Sequence, residues 1–192
     1  MRRVTTVAAL FLALMGLTAQ SALAANVHFK AKPPLTFFDN GKTLTVSGAL
    51  TGLGNGDIRV TITATAQPVA GCVNPGSGEH RPAGQQPAVV QIGGTTDIPN
   101  DQIKNGNVPF SVTTVEPTLP SDPRTAGCPG TNWTVVLDDV IFLAVKISVF
   151  QDSNPNGVFD PPGTLVLGPE CFSLSGPSSG TSGPLTATST SC

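Results

Sequence analysis

The sequence predicts an all-β protein whose fold is an antiparallel immunoglobulin-like β-sandwich of about seven to nine strands. Three observations support this prediction. Apolar and polar residues alternate with period two over several short segments, as in strands with one buried face. Gly, Pro, Asn or Asp bounds each segment, and no window has the 3.6-residue period of an amphipathic helix. A barrel built from the same strands is the alternative architecture.

The N-terminal segment has the three parts of a secretory signal peptide. Arg2 and Arg3 precede an apolar run over residues 7–17, and an A-x-A cleavage signature follows at residues 22–24. No second apolar stretch reaches the roughly 18 residues of a membrane helix. We therefore predict that residues 1–24 are a signal peptide and that the mature chain is secreted, extracellular and without a membrane span.

The strands are predicted in chain order from the alternation. Residues 43–51 and 58–65 each alternate between apolar and polar positions, and the turn at 52–57 makes them a predicted β-hairpin with one wet face. Two long connections follow, Gln67 to Pro87 and Glu116 to Asn132, and loops of this length are usually functional or mobile. The remaining predicted strands are 27–31, 88–93, 107–115, 133–141, 144–151, 164–168 and 170–174.

The length that remains after the signal peptide predicts one domain. Residues 25–174 form the predicted β-sandwich domain, and residues 175–192 a tail rich in Ser, Thr, Gly and Pro that ends in Cys192. Removing the two signal-peptide arginines from the 10 basic residues leaves 8 against 12 acidic residues, a net charge of −4. Because the sequence has no basic cluster, nucleic acid is not a predicted partner.

The cysteines predict two disulfides, since an even number of cysteines in an exported chain is normally paired. They are Cys72, Cys128, Cys171 and Cys192. Cys72 and Cys128 each lie in one of the two long connections, so the preferred pairing joins these loops at one end of the domain. Cys171 and Cys192 would then pin a tail that is too polar to order itself by burial. The alternative is a free or intermolecular Cys192.

Three segments carry a resemblance to known proteins. They are a Cys-x-Asn-x-Gly loop at 72–76, Pro-Ala-Gly-Gln at 82–85 and Cys-Pro-x-x-Asn-Trp-Thr at 128–134. With the signal peptide and the early strands, they resemble a group of uncharacterised small secreted bacterial proteins of actinobacterial type. The resemblance covers residues 60–150, and the segment after Gln151 departs from the pattern of that group. It implies export and a β fold, and no activity.

The sharpest local motif is similar to the D-x-N-x-N-G-x-x-D calcium loops of extracellular β modules and dockerins. Calcium takes six to eight oxygen ligands, which alternate Asp and Asn side chains around a Gly-enabled turn can supply. On this template the ligands are the side chains of Asp152, Asn154, Asn156 and Asp160 and the carbonyl of Val158. The alternative is a loop that only turns the chain.

The calcium template is incomplete at its last position. Gly163 stands where the template has a bidentate Glu, so Glu170, Asp138 or Asp139 would have to supply that carboxylate through the fold. No cofactor is predicted to be required, and calcium, if the loop binds it, is expected with a weak dissociation constant of order 0.1 to 1 mM.

Catalysis is not predicted. Glu79, His80 and Arg81 place three ionisable residues together on a long loop, but no sequence motif pairs His80 or His28 with a nucleophile. Asp138 and Asp139 are adjacent in a strand, so they should point to opposite faces, and a solvated strand end is the favoured interpretation over a carboxylate pair.

The aromatic composition argues against a ligand platform. The sequence has one Trp and no Tyr, so several rings cannot easily be assembled on one surface. Trp133, close to Cys128 in the sequence, is instead predicted to pack in the core near the disulfide.

The predicted function is that of a secreted, non-catalytic binding or surface protein, with the two stapled loops as the contact surface for an unknown protein or cell-surface partner. One alternative is an extracellular structural or matrix component that self-assembles through strand edges or an intermolecular Cys192 bond. The less favoured alternative is a small secreted hydrolase or a protease inhibitor.

Overall fold

The computed structural model describes residues 26–82, 87–176 and 180–192. The predicted signal peptide and most of the Pro-Ala-Gly-Gln motif lie outside these residues. The described chain is all-β, as predicted, and its helical content is one 3₁₀ turn at Asn100–Gln102. None of the described segments is a helix with the length and apolar character that a membrane span requires.

Within the described residues, ten strands form one antiparallel hydrogen-bonded sheet. They are β1 His28–Phe29, β2 Thr36–Asp39, β3 Leu44–Thr51, β4 Ile58–Val73, β5 His80–Pro82, β6 Val90–Ile98, β7 Val108–Thr113, β8 Thr134–Gln151, β9 Thr164–Ser175 and β10 Gly183–Thr190. Their order is β1-β3-β2-β10-β9-β8-β4-β5, with β6 paired to β4 and β7 paired to β3. Strand β2 was not predicted from the sequence.

The predicted hairpin of residues 43–51 and 58–65 is wrong. Strand β3 pairs with β1, β2 and β7, whereas β4 pairs with β5, β6 and β8. Residues 52–57 therefore carry the chain from one group of strands to the other. The period of two identified the buried side of each strand correctly, but it holds no information about which strand is the hydrogen-bonding partner.

The long connection predicted from Gln67 to Pro87 is partly strand. Strand β4 continues to Val73, and its alternation continues through the buried residues Ala66, Pro68, Ala70 and Cys72. These residues are small or are proline, so they give a weak strand signal although they occupy the inward face. The second predicted connection, 116–132, does lack strands.

Two predicted strand pairs are continuous strands interrupted by irregularities. In β8, Ala144 pairs with Thr65 and Phe142 pairs with Ala66, so Leu143 is an extra residue in the ladder. Such a bulge shifts the alternation by one position, which is why residues 133–141 and 144–151 looked like separate strands. Strand β9 likewise joins the predicted segments 164–168 and 170–174 across a register shift.

The described part of the tail, residues 180–192, is not loose, contrary to the prediction for residues 175–192. Its residues 183–190 form β10, which pairs with β2 through Gly183 to Leu185 and with β9 through Thr186 to Thr190. Most of its side chains are exposed or half-buried. The tail is therefore ordered by backbone hydrogen bonds and the β preference of threonine, which a search for buried apolar residues does not detect.

The strands share one hydrophobic core. Fully buried residues from both strand groups meet in it, including Leu44 and Leu50 of β3, Ile58 of β4 and Ile147 and Val149 of β8. Because β10 pairs with a strand of each group, it connects them around this core. The candidate sites lie in the polar loops at the two ends of the strands, outside this core.

Candidate functional site

The Cys72–Cys128 disulfide forms as the preferred pairing predicted, with a Cα–Cα distance of 5.6 Å. Both cysteines are buried and form a small apolar cluster with Ala126. Trp133 and Val135 are half-buried and pack against this cluster, so Trp133 lies near the disulfide as predicted but outside the main core. The disulfide attaches the loop of residues 114–133 to the end of β4.

The turn at residues 74–79 continues directly from this disulfide-bonded end of β4. Asn74 N donates to Glu79 O at 2.9 Å, and Gly78 N donates to Asn74 O at 2.8 Å. Gly76 N donates to Asn74 Oδ1 at 2.9 Å. Gly78 has a φ of +65°, which a glycine adopts without steric cost. The turn is therefore held by its own backbone, while residues 75–81 are all exposed.

The loop of residues 114–133 is also held by local hydrogen bonds. Asp122 Oδ1 accepts from Arg124 N at 3.0 Å, and its Oδ2 accepts from Thr125 Oγ1 at 3.3 Å. Cys128 N donates to Pro123 O at 2.8 Å. We call residues 74–81 and 114–133, joined by the disulfide, the stapled end.

A histidine–carboxylate contact spans three strands at the stapled end. His80 Nε2 lies 3.0 Å from Asp138 Oδ1, and both side chains are partly exposed. Gly71 of β4 lies between them, and a Cβ at that position would overlap with both side chains. Asp138 is an extra residue in the β8 ladder opposite Val69 and Ala70. The bulge in β8 and the absence of a side chain at Gly71 therefore allow side chains of β5 and β8 to contact each other across β4.

The neighbouring carboxylate has a different environment. Asp138 is exposed and Asp139 is buried, so the expectation of a solvated strand end is wrong for Asp139. The prediction that the two point to opposite faces is also wrong. Asp139 pairs with Val69 and Asp138 lies against Gly71, and these two β4 residues share one face of the strand, because the bulge in β8 breaks its alternation. Asp139 Oδ2 accepts from Gly180 N at 2.5 Å, and Asp39 Oδ1 accepts from Gly41 N at 2.7 Å. Asp39 and Asp139 both line a small cavity of about 90 Å³.

Burial raises the pKa of the Asp39 carboxyl above its usual value; the hydrogen bond from Gly41 opposes this shift, and the charge of Asp139 adds to it. A raised folded-state pKa destabilises the native state at high pH, and this destabilisation disappears below the unfolded-state value of about 3.8. We expect Asp39→Asn to raise the thermal unfolding midpoint near pH 7, because Asn removes the charge that burial disfavours and keeps the acceptor for Gly41.

Thermal unfolding of the wild type and of Asp39→Asn as a function of pH tests this prediction. The difference in midpoint should shrink as the pH falls toward 3.8. A variant that is less stable than the wild type at every pH would contradict it.

The structure brings together the side chains predicted as calcium ligands. Asp152 Oδ1 accepts from Asn154 N at 3.0 Å, and its Oδ2 accepts from Asp160 N at 2.8 Å. Asn154 Nδ2 and Asn156 Nδ2 each donate to Asp160 Oδ2 at 3.1 Å. Asn156 Oδ1 accepts from Val158 N at 2.8 Å. The loop thus closes on itself through hydrogen bonds.

A cation at this loop would have to rearrange those bonds. The loop lines an open cavity of about 260 Å³ that includes Asp152, Asn154 and Asp160. The two Asn side chains direct their nitrogens at Asp160, so binding would require amide rotation to present oxygen instead. Over the described ranges, no three His, Cys, Asp or Glu side chains are close enough together to hold a metal ion.

The carboxylates suggested as substitutes for the missing Glu are misplaced. Asp139 pairs with Val69, whereas Gln151, at the start of the loop, pairs with Ile58. Eleven residues of strand separate these pairs, roughly 35 Å. Asp138 and Asp139 are therefore at the opposite end of the sheet. Glu170 pairs with Ile147, four residues and roughly 13 Å before Gln151.

Asp57 is an important residue that the sequence analysis did not identify. It is fully buried, and its Oδ1 accepts from Asn100 N at 2.6 Å while its Oδ2 accepts from Gly157 N at 2.9 Å. Asp152 N donates to Asp57 O at 3.0 Å. We call this arrangement the Asp57 junction, because one side chain joins the 52–57, 99–107 and 152–163 loops. The only sequence signal is an Asp that follows Asn-Gly in a predicted turn.

The second disulfide joins Cys171 to Cys192, which makes the alternative of a free or intermolecular Cys192 wrong for this structure. Across the described residues no cysteine is free. Cys192 is exposed and Cys171 is half-buried, unlike the buried Cys72 and Cys128. The two disulfides therefore differ in their accessibility to solvent.

No protein-family model, curated protein or solved structure matches this chain. The resemblance of its cysteine segments to secreted actinobacterial proteins stays a prediction.

Proposed function

We propose that this chain is a secreted, non-catalytic binding protein that contacts a protein or cell-surface partner through its stapled end. The observation that carries the proposal is the exposed segment of residues 75–81, which is attached to a buried disulfide and to a second ordered loop. Binding loses less conformational entropy when the contact loops are ordered beforehand. Extracellular function is compatible with the two disulfides.

The proposal includes an immunoglobulin-like sandwich as the scaffold. Strands from two groups contribute to one core, and β10 connects the groups. In such folds the loops gather at the two ends of the strands, where they are free to bind partners. The stapled end occupies one of these ends and the Asp57 junction the other.

The exposed charges of the stapled end favour a polar partner surface. Arg81 Nη2 lies 2.8 Å from Glu79 Oε1, and His80 pairs with Asp138. The Arg81–Glu79 pair presents both signs of charge within a few residues. Charges arranged in this way contribute mainly to partner selection and to the association rate.

Self-assembly is the second candidate, and two observations weaken it. The pairing of Cys192 with Cys171 removes the proposed intermolecular bond. The edge strands β1 and β5 have only two and three residues, and Val115 N donates to Gly93 O between the β7 and β6 segments. Short or partly paired edges offer little backbone for a second chain to join.

The binding proposal is tested with the labelled, disulfide-intact mature protein and cells that secrete it. We expect saturable binding to the cell surface or to purified surface proteins, weakened about tenfold in the double variant Glu79→Ala/Arg81→Ala. The matched control is Lys146→Ala/Glu170→Ala, which also removes one charge of each sign. Equal binding by both double variants would show that the stapled end is not the contact surface.

We further propose that the loop of residues 152–160 binds calcium weakly, because its four ligand-type side chains converge in the folded state. Calcium at ten times its dissociation constant should stabilise the native state by about 1.4 kcal/mol. This corresponds to a rise of about 3 to 6 °C in the thermal unfolding midpoint. Asp160→Ala should abolish the rise, whereas Val158→Ala should keep it because only the backbone carbonyl of Val158 is a ligand. If the unfolding midpoint is the same with excess calcium and with chelator, the loop does not bind calcium and only turns the chain.

A further inference from the structure

A shallow groove lies where the start of the chain crosses strands β3 and β7. Its volume is about 230 Å³, and none of its lining residues belongs to the stapled end or to the 152–160 loop. Lys30 N donates to Ala49 O at 2.8 Å, which attaches the N-terminal segment to β3. The loop after the 3₁₀ turn forms the opposite wall. The groove is therefore built from three separate parts of the chain.

The floor of the groove is apolar and narrow. Ala49 of β3 pairs with Pro109 of β7, and both line the groove together with Pro33. Proline has no backbone N–H, so this part of the floor offers apolar CH groups with few competing donors. Pockets for drug-sized ligands begin at roughly 300 Å³, so the groove is suited to a single small ring.

The walls of the groove are positively charged. Lys30 and Lys104 line it and no Asp or Glu does. Lys104 Nζ donates to the backbone carbonyl of Asp101 at 2.5 Å, which positions the ammonium group without neutralising it. The ion pairs formed by the described residues involve Arg59, His80 and Arg81, so neither lysine is paired with a carboxylate. The groove is therefore a positively charged patch on a mature chain whose predicted net charge is negative.

We propose that this groove binds a uronate unit of an acidic polysaccharide. The apolar floor would pack against the CH face of the sugar ring, and the two lysines would pair with its carboxylate. The amide of Gln102, on the wall, has both a donor and an acceptor for ring hydroxyls. Binding of this kind is independent of the stapled end and would retain the secreted protein on a polysaccharide surface without a covalent anchor.

The proposal is tested by surface plasmon resonance with the disulfide-intact mature protein on immobilised polygalacturonate. We expect Lys30→Gln/Lys104→Gln to weaken binding about tenfold, as loss of two exposed ion pairs predicts. The matched control, Lys42→Gln/Lys146→Gln, removes the same charge elsewhere and should change binding less than about twofold. Gln102→Ala, which leaves the charge unchanged, should weaken binding about threefold.

Neutral dextran and poly(glycerol phosphate) complete the experiment. Both should bind at least about tenfold more weakly than polygalacturonate, because dextran lacks the charge and poly(glycerol phosphate) lacks the ring. Equal losses in the two double lysine variants would overturn the proposal by showing that net charge alone is responsible. Absence of polygalacturonate binding, or equally tight binding of either comparison polymer, would also overturn it.

Discussion

Asp57→Ala is expected to destabilise the native protein by about 3 kcal/mol or more. The variant removes a fully buried carboxylate and leaves the N–H groups of Asn100 and Gly157 without their acceptor. A buried N–H group left without an acceptor costs about 1 to 3 kcal/mol. These two groups are half-buried, and the loops that they hold lie in different parts of the chain, so losing both anchors adds to the loss of the buried Asp57 side chain. Urea unfolding measures the effect as a lower midpoint with an unchanged slope.

Two further variants separate the hydrogen bonds of Asp57 from a general effect of charge. Asp57→Asn keeps one side-chain oxygen, so it can satisfy one of the two N–H groups and should lie between wild type and Asp57→Ala. Asp101→Ala removes an exposed carboxylate from the neighbouring 3₁₀ turn and should change stability by less than about 0.5 kcal/mol. Similar stabilities for Asp57→Ala and Asp101→Ala would mean that the junction does not hold the loops.

Replacing Cys72 and Cys128 together with alanine should lower the free energy of unfolding by about 4 kcal/mol. The disulfide joins residues separated by 56 positions, and the loss of chain entropy in the unfolded state grows with the length of the closed loop. The buried cluster with Ala126 and Trp133 also loses packing. Urea unfolding of the double variant measures the loss, and tryptophan fluorescence reports on the environment of Trp133.

The second disulfide supplies the comparison. Cys171 and Cys192 are separated by only 21 positions, and Cys192 is exposed, so their double alanine variant should lose about 3 kcal/mol and leave Trp133 fluorescence unchanged. A larger loss from the Cys171/Cys192 pair would show that the attachment of β10 contributes more to stability than the stapled end does.

At the stapled end, some features of the candidate site could be predicted from the sequence and others could not. Two cysteines in two predicted loops were sufficient to predict the Cys72–Cys128 bond and the packing of Trp133 near it. They did not predict the pairing of His80 with Asp138, because that pairing depends on a bulge in β8 and on the absence of a side chain at Gly71. Bulges depend on the register between two strands, which local patterns do not encode.

Sequence analysis predicted the all-β class, the inward faces of β3 and of the first half of β4, and the preferred pairing of the four cysteines. These properties depend on alternation, composition and cysteine number, which are local or countable. Only the folded chain revealed the partners of β3 and β4, the ordering of residues 183–190 as β10, the Asp57 junction and the groove that Lys30 and Lys104 both line. Each of these requires groups far apart in the chain to come together, and their hydrogen bonds and charges exist only after the backbone has been paired and the core has formed.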